Sequence, residues 1–118
     1  MIRLALLPLL LLSACAVPGA GPVSRLGCTG EVRLTNAGPL AVEQAYFGTP
    51  ADWGPDLLAP ATLAPGAAAV LRAGAAPRSL RVVFVNGRAG ELPGLDACAT
   101  PEVTVTPAGL RATSRGAT

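Results

Sequence analysis

The sequence predicts an all-β fold: a small antiparallel β-sandwich of about six strands with one short helical turn, preceded by an N-terminal signal segment. Three observations predict it. Short stretches alternate polar and apolar residues at period two. Turn residues interrupt them at short spacing, supplied by 14 glycines and 12 prolines in 118 residues. No stretch past the N-terminal segment holds a 3.6-residue apolar period long enough for a helix, so sheet must pack on sheet.

Glu31-Val32-Arg33-Leu34-Thr35 alternates and makes a first strand with Val32 and Leu34 inward. Asn36-Ala37-Gly38-Pro39 is a turn cluster. Leu40 to Phe47 is the second strand. Its alternation slips near Ala45, where Tyr46 and Phe47 both demand burial, and a β-bulge would reconcile them. In the next stretch Thr49 suits an N-cap, Pro50 the first helical position and Asp52 the place of a capping-box acid. A single helical turn is therefore expected to carry Trp53, with Gly54-Pro55 ending it. Asp56-Leu57-Leu58 is expected to turn again, 59–64 to form an apolar loop, and Pro65-Gly66 to turn the chain.

Ala68 to Arg72 is a weak third strand built on Val70. Ser79 to Val85 is β-branched and aromatic and is expected to lie centrally. Asn86-Gly87 signals a hairpin, with Arg88 to Leu92 as its return strand and 93–97 as loop. Glu102 to Thr106 is the final alternating strand. From Pro107 the chain is expected to fray, with disorder over 114–118. The domain so bounded spans 28–107, with a frayed tail over 108–118.

A single small domain of this length buries only about 60–65% of the surface its unfolded chain exposes, so added constraint matters. Nine basic residues, all Arg, stand against seven acidic ones, and the chain has no Lys and no His. A near-neutral domain without a basic stripe argues against nucleic acid as a partner. The lack of His removes the commonest general base and metal ligand. The lack of Lys removes Schiff-base chemistry. No cofactor is implied.

The N-terminal segment has its own logic. Met1-Ile2-Arg3 carries one positive charge, Leu4 to Leu12 is apolar apart from the break at Pro8, and Ser13 and Ala14 are small. This is the layout of a secretory signal peptide over 1–14. The nine-residue apolar run falls well short of the roughly 20 that a spanning helix needs. Leu12-Ser13-Ala14-Cys15 resembles the lipobox of bacterial lipoproteins, a resemblance confined to the first fifteen residues. It implies that diacylglycerol alkylates the Cys15 thiol, that the chain is cut before Cys15, and that the new amine takes a fatty acyl chain such as palmitate. At about 0.8 kcal/mol per buried methylene, two or three chains anchor where one would not. In Gram-negative members an Asp after the cysteine commonly signals inner-membrane retention. Ala16 stands there instead, which points to the outer membrane, facing the periplasm. The alternative is an ordinary secretory signal with a chance cysteine. Residues 15–27, rich in Gly and Pro, read as a lipidated tether.

With Cys15 lipidated, Cys28 and Cys98 remain, enough for one bridge in an oxidising compartment. Cys28 precedes the first strand and Cys98 the last predicted one, so a disulfide would staple the domain's ends if those strands are neighbours. A redox or metal pair is the alternative, but neither thiol sits in a Cys-x-x-Cys arrangement. Cys28, Trp53 and Cys98 also stand in the order of the immunoglobulin pattern. Trp53 lies in a turn-rich stretch, so that resemblance extends to architecture alone.

Tyr46 to Leu58 gathers Tyr46, Phe47, Asp52, Trp53 and Asp56 within thirteen residues. One reading is a ligand or partner patch of Tyr46, Asp52, Trp53 and Asp56, aromatic rings beside two carboxylates. The other is that the aromatics plug the end of the sandwich while Asp52 and Asp56 cap turns. Tyr46-Phe47, Trp53-Gly54 with Asp56-Leu57-Leu58, Leu63-Ala64-Pro65-Gly66 and Val82-Val83-Phe84 with Gly87 together resemble small exported bacterial β-domains. That resemblance carries over no functional residue. Asp52, Asp56, Glu91 and Asp96 show no spacing that sets two on one strand face, and no calcium-loop pattern. Ser79 has no base beside it in sequence. Arg33, Arg81 and Arg88 read as solvated strand faces that discourage edge pairing.

The expected function is a lipid-anchored cell-envelope module that interacts without catalysis, its partners the membrane through the anchor and an envelope protein. The alternatives are a small-ligand or metal binder through the Tyr46–Leu58 loop, and an inhibitor of an envelope or host hydrolase. An enzyme is the least favoured class.

Overall fold

Seven strands form over residues 27–114, the part of the chain that the computed structural model describes. They are β1 (Glu31–Asn36), β2 (Val42–Gly48), β3 (Ala68–Arg72), β4 (Arg78–Phe84), β5 (Ala89–Leu95), β6 (Glu102–Thr106) and β7 (Gly109–Thr113). The expected signal segment, Cys15 and the tether as far as residue 26 lie outside the described residues, as do 115–118.

The strands form two sheets, β3-β1-β6-β7 and β2-β4-β5. The period-two alternation decides which side chains fill the space between them. Val32 and Leu34 of β1, Val103 and Val105 of β6, Leu71 of β3, Ala45 and Phe47 of β2, and Leu80 and Val82 of β4 all turn inward and are buried. Each larger side chain so buried contributes on the order of 1.5–3 kcal/mol. The sandwich expected from the sequence is the fold observed, with differences in pairing, extent and turns, and with β3 built inward on Leu71 while Val70 faces outward.

All pairs but one are antiparallel: β1 and β6 run parallel, Leu34 opposite Val103. A parallel pair needs a long crossover, and here the chain makes it through β2, β4 and β5 of the other sheet, returning once to this sheet as β3. The tail expected to fray from residue 108 instead continues as β7, paired with β6 from Thr106↔Gly109 to Glu102↔Thr113. The Thr106 hydroxyl donates to Gly109 O (2.9 Å) and closes that hairpin. β5 runs on through Pro93 and Gly94, expected as loop. Two steps along β4, Arg78 to Leu80, oppose three along β5, Leu95 to Leu92, and this bulge admits a proline that could not donate to a regular ladder. Finally, no helical turn forms at 49–52. Thr49 and Asp52 exchange backbone hydrogen bonds (3.1 and 2.9 Å) around Pro50-Ala51, which makes a tight turn off the end of β2.

The chain ends and the connections define two poles. At one lie the lead-ins to β1 and β6, the end of β7, and the Thr49–Asp52 turn. At the other lie the 37–41 turn and the β4–β5 and β6–β7 hairpins. The 49–67 segment joins β2 to β3 by running from the first pole to the second along the outer edge of β2. The Cys28–Cys98 disulfide sits at the first pole, with a Cα–Cα distance of 5.6 Å, and ties the lead-ins of the neighbouring parallel strands β1 and β6.

Candidate functional site

The Trp53 loop begins at a glycine that has to be one. A Cβ on Gly48 would stand 2.4 Å from Asp52 O and 3.1 Å from Trp53 Cα, so the loop can fold back onto β2 only because that side chain is missing. Gly48→Ala is expected to cost about 2 kcal/mol, the range for forcing backbone apart in a packed site. It should also shift the emission of Trp53, the chain's single tryptophan. Thermal unfolding followed by that emission checks both, and an unchanged midpoint would mean the loop does not need this close approach.

Beyond the turn, Trp53 is half-buried and lies against the outer face of the β2-β4-β5 sheet, with Arg81 Cζ 5.8 Å from its ring centroid. Arg81 also pairs with the Glu91 carboxylate on β5. Register puts Tyr46 directly opposite Arg81 and Arg81 directly opposite Glu91. Tyr46 donates its hydroxyl to Gln44 Oε1 at 2.8 Å. One outer-face patch therefore runs Tyr46, Arg81, Glu91, with Trp53 against Arg81. The cation over the ring is worth about 0.5–1 kcal/mol at such a half-exposed position, and the partly exposed ion pair about 0–1 kcal/mol. The patch is a modest brace between a loop and a sheet.

The two aspartates do different work. Asp52 Oδ1 accepts from Gly54 N (3.1 Å) and is exposed. Asp56 Oδ1 accepts from Leu58 N and from Ala45 N, both at 3.0 Å. The second bond is the informative one. Ala45 N points out of the edge of β2, and the carboxylate of Asp56 takes the place a neighbouring strand's carbonyl would hold. Leu57 N then donates to Ala45 O (2.7 Å), and Val42 and Leu63 exchange bonds of 2.9 and 2.8 Å. The turn that the sequence places at Asp56 thus also seals the edge of a sheet. Phe47 is buried in the core. Among the described residues, no group of three His, Cys, Asp or Glu side chains converges to hold a metal ion.

The structure brings Tyr46 and Trp53 onto one face and separates Asp56 from them by giving it to the β2 edge. Arg81 and Glu91 complete the patch; the sequence reads Arg81 as a solvated strand face and Glu91 as a carboxylate without a spaced partner, and joins neither to the Trp53 loop. The missed signal was the hairpin length. A two-residue Asn86-Gly87 turn would set Arg81 opposite Leu92, whereas the observed loop spans Val85-Asn86-Gly87. Its closure is made by Phe84 N donating to Arg88 O (2.8 Å) and by Gly87 at φ +87°. That single added residue moves Glu91 into place across from Arg81.

A concave surface lies at the other pole. A cleft of about 420 Å³ opens between the 37–41 turn and the two hairpins there. Leu40, Phe84, Val105 and Leu110 supply apolar wall, and Arg88 and Asn86 stand among its polar residues. Asn86 Oδ1 accepts from Arg88 N (3.0 Å), which shapes the hairpin beside the cleft. Leu40 and Val85 are exposed at the same pole. No protein-family model, characterised protein or solved structure matches this chain.

Proposed function

We propose that this protein is a lipid-anchored domain of the bacterial cell envelope that acts as a non-catalytic interaction module. The observation that carries the reading is the pairing of its sulfurs. Cys28 and Cys98 are joined in the domain, which leaves Cys15, in Leu-Ser-Ala-Cys, as the remaining thiol of three. A bridge of this kind belongs to an oxidising compartment, the same destination a lipobox implies. Among the described residues no helix is long and apolar enough to cross a membrane, and acyl chains would supply the attachment.

The polarity of the fold supports a direction for the interaction. A tether from Cys15 would enter the domain at the Cys28 pole, so the opposite pole, with its cleft and the exposed Leu40 and Val85, would point away from the bilayer. Without an Asp after Cys15 the destination proposed is the outer membrane, with the domain in the periplasm. The partner proposed is an envelope protein met at that outer pole.

Intact-mass analysis of chain extracted from membranes tests the anchor. The expected product starts at Cys15, carries acyl mass and is lighter by two hydrogen atoms for the bridge, while Cys15→Ala moves the chain into the aqueous fraction. An unmodified thiol at Cys15 in wild-type chain would end the reading. Capture from intact membranes with wild-type and Leu40→Asp chains tests the module, the expected result being a partner retained by the first and lost by the second.

A further inference from the structure

Two open sheets have four outer edges; one is hydrogen-bonded by a covering segment and two lie against each other. The 49–67 segment covers β2, through the bonds of Asp56, Leu57 and Leu63 already described. β5 and β7 close on each other at the side of the sandwich, where a Cβ on Gly90 would stand 3.7 Å from Leu110 Cγ. The remaining edge is that of β3, and among the described residues no hydrogen bond reaches it from outside.

The register decides which groups of β3 face outward. Ala73 N donates to Gly30 O (2.8 Å) at one end, and Asn36 N donates to Ala67 O (2.9 Å) at the other. Between them Val32 opposes Leu71 and Leu34 opposes Ala69. Bonded pairs alternate in an antiparallel ladder. The amides and carbonyls of Ala69 and Leu71 therefore turn to β1, and those of Ala68, Val70 and Arg72 turn out of the sheet. Val70 is 57% exposed, more than Leu40 or Val85. The strand has no proline, no bulge and no inward charge, the usual means of blunting an edge.

We propose that this edge pairs with the same edge of a second copy of the chain, antiparallel, about a two-fold axis through Val70. An isologous contact must be complementary to itself, and the order Ala68-Ala69-Val70-Leu71-Arg72 is. On the axis Val70 meets Val70 and the two residues exchange N–H···O bonds. On either side Arg72 meets Ala68, so no cation opposes a cation, and Ala69 and Leu71 stay turned into their own cores. Two four-stranded sheets join edge to edge into a continuous one. Five residues from each chain bury far less than the roughly 1,600 Å² of a standard stable complex, so the association is weak and concentration-dependent. It does not depend on the lipid anchor.

The test is Val70→Cys in the full chain, oxidised mildly and read as covalent dimer on a non-reducing gel. Pairing about the axis sets the two Cα atoms about 5.5 Å apart, within the roughly 4.4–6.8 Å that a disulfide spans. Arg111→Cys, exposed on β7 of the same sheet, measures random collision. Several-fold more dimer from Val70→Cys than from Arg111→Cys is expected. The wild-type chain should also sediment with a mass that rises with concentration, and Val70→Lys, which sets two cations on the axis, should abolish the rise. Equal crosslinking at the two positions overturns the proposal, as does a wild-type mass that stays monomeric at every concentration. An adduct between Val70→Cys and a different protein also overturns it, and gives the edge to a foreign strand. Trp53 emission verifies the fold of each variant.

Discussion

Replacing Cys28 and Cys98 together by alanine is expected to lower the unfolding free energy by about 4 kcal/mol. The bridge closes a loop with a sequence separation of 70. In the chain-entropy description, such a crosslink acts mainly by forbidding expanded conformations of the unfolded chain, and its effect grows with the logarithm of loop length. Little of the folded packing should change. The two cysteines precede strands that β1–β6 pairing already holds together, so the native geometry does not depend on the bridge for its register. Against a total of about 5–15 kcal/mol for ordinary domains, and with a core this small, the loss leaves a marginal fold. Urea unfolding followed by Trp53 emission tests this. The midpoint should fall steeply, and the slope should rise because the unfolded chain exposes more surface once uncrosslinked. Reduction of the wild-type bridge should reproduce the double variant. A change below about 1 kcal/mol in both would show that the unfolded chain is held compact by other means.

The strands read most directly from the sequence are β1, β4 and β6, whose inward residues are fully buried. Val32 and Leu34, Leu80 and Val82, and Val103 and Val105 are all at 0–1% exposure, and their spacing announces a sheet with one wet face. β7 was not legible for the converse reason. Leu110 and Ala112 are only partly buried against the core, and Pro107-Ala108-Gly109 looks the same whether it ends a domain or turns a hairpin. Tyr46 shows a different limit. Its ring reads as a core residue, yet the irregularity in β2 falls between Val42 and Gln44, before Ala45, which leaves Phe47 inward and Tyr46 on the outer face. Side chains downstream of a bulge exchange faces with a one-residue slip, and sequence alone does not place the slip.

The Trp53 stretch was misread because local and tertiary preferences conflict there. Thr49-Pro50 suits the start of a helix and equally the first corner of a tight turn. What decides is Gly48, whose missing side chain lets Asp52 O close on the strand, and Thr49, which exchanges bonds with Asp52 in place of starting a helix. The edge-sealing role of Asp56 could not be read locally either, since Ala45 N lies 11 residues upstream of its acceptor. Both sites depend on contacts between segments, and a linear pattern carries only their ingredients.

Asn36→Ala is expected to cost about 3 kcal/mol, one unit for each hydrogen bond its side chain makes. Asn36 is fully buried at the end of β1 and is the one buried polar residue recorded among those described. Its Nδ2 donates to Leu40 O (2.8 Å) and Leu63 O (3.1 Å), and its Oδ1 accepts from Gly38 N (3.0 Å). The side chain thereby fixes the 37–41 turn, which borders the cleft, to the segment that seals β2. Asn36→Asp separates the role of the donors from that of shape. It keeps the outline and the acceptor but turns a carboxylate oxygen toward two carbonyls in a dry site. Burial and those carbonyls both favour the protonated form, so the new group holds its proton more tightly in the folded chain than in the unfolded one. A group of that kind contributes its stability below its unfolded pKa and loses it as pH rises through the folded value. The gap between parent and Asn36→Asp should therefore be narrowest in acid, where the protonated group can still donate to one carbonyl, and widest at neutral pH, where it should exceed the cost of Asn36→Ala. The gap for Asn36→Ala should not vary with pH. Urea midpoints for the three chains at acid and neutral pH provide the measurement. Parallel behaviour of the two variants would mean that water reaches the site and satisfies Leu40 O and Leu63 O whatever residue 36 is, and the turn would then be held by its backbone bonds, Ala37 N to Val105 O among them.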